Sequence, residues 1–464
     1  MDPLHSIVDP IGAGENDLAP HLAPSTSDPV IDEPLAQTAL DIFHSYLWVF
    51  LIAFIVTLLA TPVMRRLAIM NGVIDRPNDP RKAHKIPVAY LGGVAVWAGL
   101  MAAILFSYVA YAPGEALHGH ASERALREVP VAILAGMTVI TLLGVLDDVV
   151  GIDPLLKISG QLLAAAAIAV EEFGTNVARG VLGPIGRLFG NEELVFLVPL
   201  PEALAAAPLQ IDLIYWSGVI IIALFVLGAC NASNLIDGLD GLLSGVTAIA
   251  SIGLLIIALG MALADDGAYD GARVILCMAL LGASLGFLPH NFNPASIFLG
   301  DAGSLLLGFV TVTIILSLGD TGKTPLVVAG LIIYAIPIID TILAIFRRKL
   351  AGQPISAADD QHLHHMLKRA LGVKGAVLSL YGLGIAFAAL GVLVTLGRAR
   401  DAYTLAIVFV AFIAVMSIKV ARRQAIERDA VARLALAEAA SETRSAASTE
   451  SDAPRARRES PARV

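Results

Sequence analysis

The sequence predicts an all-α integral membrane protein, and three observations carry that prediction. Of 464 residues, 57% are hydrophobic and 15% charged, whereas soluble domains are roughly 45–50% apolar and about 25% charged. Mean hydropathy is +0.77. Apolar runs of about 20 residues, the length that spans a bilayer core, recur along the chain. Together these exclude a soluble multidomain protein. The two cysteines, Cys230 and Cys277, lie in apolar stretches, so there is no CxxC pair, no cysteine-based zinc pattern and no disulfide framework.

Residues 1–44 contain eight carboxylates and no Lys or Arg. With many Pro, Ser and Ala and no periodicity, this segment reads as a disordered acidic tail, and it lacks the charged start and apolar run of a signal peptide. Residues 45–420 read as the polytopic domain, with crossings expected near 45–64, 91–111, 130–146, 155–170, 213–229, 241–263, 272–288, 302–318, 325–346, 376–397 and 403–420. Eleven crossings put the termini on opposite sides. The connections 65–90, 147–157, 230–240, 289–301 and 347–375 and the end 419–464 carry 23 of the 31 Lys and Arg. By the positive-inside rule they face the cytoplasm, leaving the N-terminus outside. The longest outside connection, 171–212, is rich in glycine and reads as a hairpin on the membrane surface. Residues 421–464 read as a cytoplasmic tail, solvated or touching anionic lipid through its arginines.

Carboxylates at membrane depth are expensive and mark function by default. Five recur at the expected cytoplasmic ends of different helices: Asp147 and Asp148, Asp237 and Asp240, and Asp301. For any one of them helix capping is the alternative; for all five on one side, a site for a hard cation such as Mg²⁺ is the better reading. Gly238, Gly241, Gly300 and Gly303 flank them, either to let amides approach phosphate or to pack helices. No P-loop pattern is present.

Two basic loops supply the opposite charge. The first contains Arg81, Lys82, His84 and Lys85 and ends at Gly92-Gly93; it could neutralise phosphate or serve only topology. The second contains His362, His364 and His365. Without an HExxH pattern and beside hard oxygen ligands, these histidines are expected to donate to sugar or phosphate rather than bind a transition metal. Phe298 could stack on a nucleobase or simply pack. Lys157 and Gln161 share one helix face and point toward the same place. Asp340, after Pro337, is expected at a helix break.

These motifs, an RKxH…P…GG loop, DDxxG, NxxNxxDGxDG, NxxPAxIFxGDxGS and HxHH, resemble those of the bacterial polyprenyl-phosphate N-acetylhexosamine-1-phosphate transferases, from about residue 45 to 420. Within them the branch using UDP-GlcNAc is the more similar, because the relatives that transfer phospho-MurNAc-pentapeptide carry three consecutive histidines. The resemblance implies about eleven helices around a cytoplasmic-side cleft, a broken ninth helix and a small extracytoplasmic hairpin. It implies Asp301 as principal Mg²⁺ ligand, with Mn²⁺ a substitute, and Asp147 and Asp148 at the metal or the lipid phosphate. It implies Asn231, Asn234, Asp237 and Asp240 around nucleotide and diphosphate, Asn291 and Phe298 around uridine, and His362, His364 and His365 near diphosphate or sugar. Lys82, His84 and Lys157 are expected to bind substrate.

The expected activity is transfer of GlcNAc-1-phosphate from UDP-GlcNAc to undecaprenyl phosphate in the bacterial inner membrane, releasing UMP and initiating an envelope polysaccharide such as O-antigen or teichoic acid. The alternatives are the same reaction with another UDP-N-acetylhexosamine or with UDP-MurNAc-pentapeptide, and, from another class, an ion-coupled transporter. The expected partners are the two substrates, the bilayer and, as an option, a second copy of the chain; nucleic acid is not among them.

Overall fold

The computed structural model describes residues 38–76, 87–110, 129–199, 208–350, 352–353 and 362–408, with single helical residues up to 436. Most of the expected acidic tail, the 77–86 part of the first basic loop with Lys82 and His84, and six of the 18 residues of the eleventh expected crossing lie outside the described residues. The protein is an all-α integral membrane protein. Among the described residues eight helices are long and apolar enough to cross a membrane, or up to ten if each of two bent pairs is one span.

The helices are α1 (Ala39–Ser45), α2 (Leu47–Met70), α3 (Gly92–Ala110), α4 (Val131–Val150), α5 (Pro154–Val170), α6 (Arg179–Leu188), α7 (Leu213–Ile236), α8 (Leu242–Leu263), α9 (Asp270–Asn291), α10 (Gly300–Ser317), α11 (Thr324–Ile333), α12 (Ala335–Leu350) and α13 (Leu363–Thr395). Helix α1 begins inside the range read as the acidic tail. Its capping box, Thr38 with Asp41, satisfies the first amides locally, a signal that composition alone hides.

Helices α9 and α10 form the centre, each with 89% of its spanning window buried. Helix α9 packs against α2 and α8, and α10 against α3, α4 and α7. Glycines set the closeness of the α3–α10 contact: a Cβ on Gly93 would lie 2.0 Å from the Gly303 amide nitrogen. Polar residues survive in this core because their hydroxyls return to the backbone one turn earlier, as Thr311 to Leu307 O and Thr313 to Phe309 O, both at 2.7 Å. The outer helices α2, α4, α5 and α7 instead expose Leu59, Leu142, Leu163 and Leu224, the side chains a lipid surface would cover.

Two departures from regularity matter. Helices α11 and α12 meet at Tyr334 with an 80° bend, three residues before Pro337, which sits in the first turn of α12 where no amide partner is required. Helix α13 is broken at Gly372, φ 72°, so its first piece, carrying His364 and His365, is helical where a loop was expected.

At one end of the bundle, strands β1 (Ile74–Asp75) and β2 (Val88–Ala89) pair antiparallel, and Ala89 bridges to Ile297. At the other end β3 (Val195–Val198) and β4 (Leu209–Asp212) form the expected hairpin. The 171–212 segment also folds into a short 3-10 turn, Thr175–Ala178, and α6, bent 85° from α5.

Candidate active site

Asp301 enters the site from the first turn of α10. The preceding Gly300 turns the chain at φ 68°, and a Cβ there would lie 2.3 Å from Asp148 Oδ2. Only glycine serves both demands. Asp148, from the last turn of α4, accepts the Asp301 amide at 2.8 Å and the Ala302 amide at 3.2 Å. Both oxygens of this expected metal ligand are thus engaged in capping α10, and the same bonds occupy amides that were candidates for binding phosphate.

Asp147 faces the other way. Its Oδ1 accepts the Ile152 amide at 2.9 Å, and its Oδ2 lies 2.9 Å from Lys157 Nζ. Lys157 stands on α5, begun by the Asp153 cap and Pro154, and its ammonium also contacts Asp301 Oδ2. The remaining Asp301 oxygen accepts from Asn234 Nδ2 at 2.7 Å, which also reaches Ser304 Oγ at 3.0 Å. The Asp147, Lys157 and Asp301 side chains keep 20%, 18% and 24% exposure, so a ligand can reach them. Asn231 and Gln161, expected to face substrate, pair with each other at 2.9 Å, and Gln161 is fully buried.

The loop after α7 brings the next carboxylates. Asp237, half-buried, is pushed up to about 8, first by burial and then by the charges of Asp301, Asp148 and Asp240; its amide donates to Ser233 O, while among the described residues no hydrogen bond holds its carboxyl. Asp240 is bound by the neighbouring loop, accepting from Asn293 Nδ2 at 2.8 Å and the Ala295 amide at 3.0 Å. Asn291, expected at uridine, is nearly fully buried. Its Oδ1 accepts the Gly241 amide at 3.1 Å and the Ser244 hydroxyl at 2.9 Å, and its Nδ2 donates to Ile297 O at 3.2 Å. Asp240 and Asn291 therefore staple the two loops together.

Phe298 remains half-buried, with its ring centroid 6.1 Å from that of Tyr90. Its amide donates to Ala89 O and its carbonyl accepts from Gly92, so backbone bonds fix the two rings as a pair. Burial, followed by Asp75 and Asp148, raises the Tyr90 phenol above its ordinary value. Tyr90, Ser304 and Asn293 were not singled out in the sequence; Ser304 and Asn293 sit inside the motifs quoted above, while Tyr90 carries no signal of its own.

The histidines abut this loop. His362 and His364 are buried and His365 is partly exposed. His364 lies against Gly238, where a Cβ would be 2.4 Å from Nε2. One end of the bundle thus joins five carboxylates, an ammonium, an aromatic pair and a histidine cluster.

The model of glycosyl transferase family 4 matches residues 130–319. Over 344 residues the chain is 32% identical to a probable undecaprenyl-phosphate N-acetylglucosaminyl 1-phosphate transferase of Bacillus subtilis, covering 73% of this chain and 82% of that one. It is 30% identical to a decaprenyl-phosphate N-acetylglucosaminephosphotransferase of Mycolicibacterium smegmatis, covering 71% and 77%. It is 32% identical to an undecaprenyl-phosphate alpha-N-acetylglucosaminyl 1-phosphate transferase of Escherichia coli, covering 68% and 75%. The match spans the α4 aspartates, the loop after α7 and the start of α10, and on this evidence the chain belongs to glycosyl transferase family 4, as a multi-pass membrane phosphoglycosyl transferase.

Proposed function

We propose that this protein transfers GlcNAc-1-phosphate from UDP-GlcNAc to undecaprenyl phosphate, giving undecaprenyl-diphospho-GlcNAc and UMP. The observation that carries the reading is Asp147, Lys157 and Asp301 gathered from three helices at an accessible end of the bundle, a charged cluster at a helix-end position where carboxylates are otherwise costly. The names of the relatives above support the polyprenyl acceptor and the GlcNAc donor.

A phosphate monoester has a second pKa of about 6, so near neutrality the lipid phosphate is already a nucleophilic dianion. In the proposed step one of its oxygens attacks the sugar-bearing phosphorus of the donor, the bond from that phosphorus to the oxygen shared with UMP breaks, and UMP leaves with the electron pair. No strong base is required. The difficulty is bringing two anions together; Lys157 brings a positive charge into the site but shares it with Asp147 and Asp301, so a further cation is needed to offset the diphosphate. Where Asp237 keeps its proton, as burial and the neighbouring carboxylates favour in the metal-free protein, it donates a hydrogen bond to a phosphate oxygen where an ionised carboxylate would repel it. Asn234 fixes the orientation of Asp301.

The donor set suits a hard divalent cation: Asp147 and Asp301 are oxygen ligands already gathered around a positive charge. Mg²⁺, with Mn²⁺ as substitute, would be held there and would neutralise the diphosphate and the departing UMP. The 23-to-8 division of Lys and Arg supports a cytoplasmic site and an extracytoplasmic β3–β4 hairpin in the bacterial inner membrane. A transporter would gather its carboxylates near the midplane, whereas these stand at helix ends. Purified protein should release UMP only when UDP-GlcNAc, undecaprenyl phosphate and Mg²⁺ are all present; release without the lipid, or none with all three, sinks the proposal.

A further inference from the structure

We infer that Asp340 is a positioning residue that holds His362 and His364 by their Nδ1 atoms and thereby presents the Nε2 edge of His364 to the Asp237–Gly241 loop. The inference rests on the proposed phosphotransfer reading for its consequence, and on geometry for its substance.

Asp340 stands on α12, six residues beyond the bend at Tyr334, and is 1% exposed; His362 and His364 are 4% and 1% exposed. A buried carboxylate must be surrounded by donors, and this one is. Its Oδ1 accepts the Leu363 amide at 2.7 Å, which caps α13 from a different helix. Its Oδ2 lies 3.0 Å from His362 Nδ1 and 3.5 Å from His364 Nδ1. Among the described residues His364 Nδ1 has no hydrogen-bond partner of good geometry, so this oxygen is the group nearest to claiming it. The two rings stack, with centroids 5.5 Å apart, as side chains converging on one anchor do.

An ionised carboxylate only accepts. The His362 contact therefore places that ring's proton on Nδ1, and we extend the same placement to His364; each Nε2 is then bare until a second proton makes it a donor. For His364 that second nitrogen meets the backbone beside Asp237, and Gly238 is the residue whose missing side chain makes room for it. The bend in the broken span thus has a chemical consequence. It brings a carboxylate under the histidines and turns the other edge of His364 toward the position proposed for the donor's diphosphate.

One atom each from Asp340, His362 and His364 also lies within 4.8 Å of the others, a spacing that a metal ion could bridge. The hydrogen-bond distance between His362 Nδ1 and Oδ2 favours a proton at that place, and the experiment separates the two.

Full-length protein in detergent is compared with Asp340→Asn, His364→Ala and the double variant by UMP release, by ¹⁵N spectra of histidine-labelled protein and by metal analysis. Asp340→Asn should lower kcat/KM for UDP-GlcNAc at least about tenfold, and the double variant should be no worse than His364→Ala, because both changes remove one arrangement. In the wild type, resonances assigned by loss in His362→Ala and His364→Ala should show the proton on Nδ1 of both rings, and Asp340→Asn should move at least one to Nε2. Additive losses, a wild-type Nε2–H on either ring, or a stoichiometric transition metal lost from Asp340→Asn would overturn the inference. The wild-type spectrum decides even if Asp340→Asn does not fold. If no UMP is released by the wild type, the reaction reading fails, while the tautomers still test Asp340.

Discussion

Asp148 accepts the backbone amides of Asp301 and Ala302 at 2.8 and 3.2 Å, so a carboxylate on α4 caps the helix that carries the principal metal-ligand candidate. Two adjacent aspartates thus divide their work: Asp148 sets where Asp301 stands, and Asp147 shares Lys157 with it. Asp148→Asn keeps one acceptor oxygen but points an NH₂ at an amide, and should cost about 1 kcal/mol of stability with a partial loss of turnover. Asp301→Asn should keep its unfolding midpoint and lose nearly all turnover at every Mg²⁺ concentration. Thermal unfolding and UMP release measured side by side check this. Full activity of Asp301→Asn at saturating Mg²⁺ would remove that residue from the metal site.

How much of this was legible in the sequence depends on the kind of residue. The crossings were readable because each needs about 20 apolar residues, and ten of the expected segments coincide with helices or bent helix pairs of the structure. Asp147 and Asp301 were readable because carboxylates at membrane depth are expensive, Lys157 because it shares a helix face just beyond the aspartate pair, and Asn234 only through its motif. The division of labour was not, since a capping carboxylate and a ligand carboxylate look alike until the amides they face are known. Asn291 and Asp240 illustrate the same limit: both sit in motifs, yet both hold one loop to another. The Asp340–His362 contact joins positions 22 residues apart, from α12 to the start of α13, and no periodicity reports such a pairing.

Asp237 gives a pH test in metal-free protein. Its carboxyl is raised to about 8 by burial and by Asp301, Asp148 and Asp240, so the folded state holds a proton that the unfolded chain releases near pH 4. Stability contributed by that proton is present at low pH and is lost as pH rises toward 8. Asp237→Asn, neutral throughout, should therefore unfold at a higher temperature than wild type, the gap widening from pH 5 to pH 8 and levelling off above. An equal gap at all pH values would show that Asp237 is ionised across the range.

The orientation inferred from the distribution of Lys and Arg predicts which residues an impermeant thiol reagent reaches. With Cys230 and Cys277 replaced, Pro20→Cys should react in intact cells and Ser445→Cys only after lysis. The reverse pattern would put the aspartate cluster on the side opposite the nucleotide-sugar pool and end the proposed reaction.

Under the proposed function, donor choice is assigned to the histidine cluster. His364 is buried with Nε2 against Gly238, beside the loop of Asp237, whereas His362 stands at the start of α13 and spends Nδ1 on Asp340. His364→Ala should therefore lower turnover more than His362→Ala. A donor carrying GlcNAc needs only a few hydrogen bonds around a compact sugar, while a lactyl-pentapeptide needs further room and further partners. UDP-MurNAc-pentapeptide should accordingly give at least roughly tenfold less UMP than UDP-GlcNAc, a difference of about 1.4 kcal/mol in transition-state binding. Competition between the two donors at fixed undecaprenyl phosphate measures the ratio directly. Equal use of both would show that the cluster touches only the diphosphate common to them, leaving the phosphotransfer chemistry intact and moving sugar recognition elsewhere in the site.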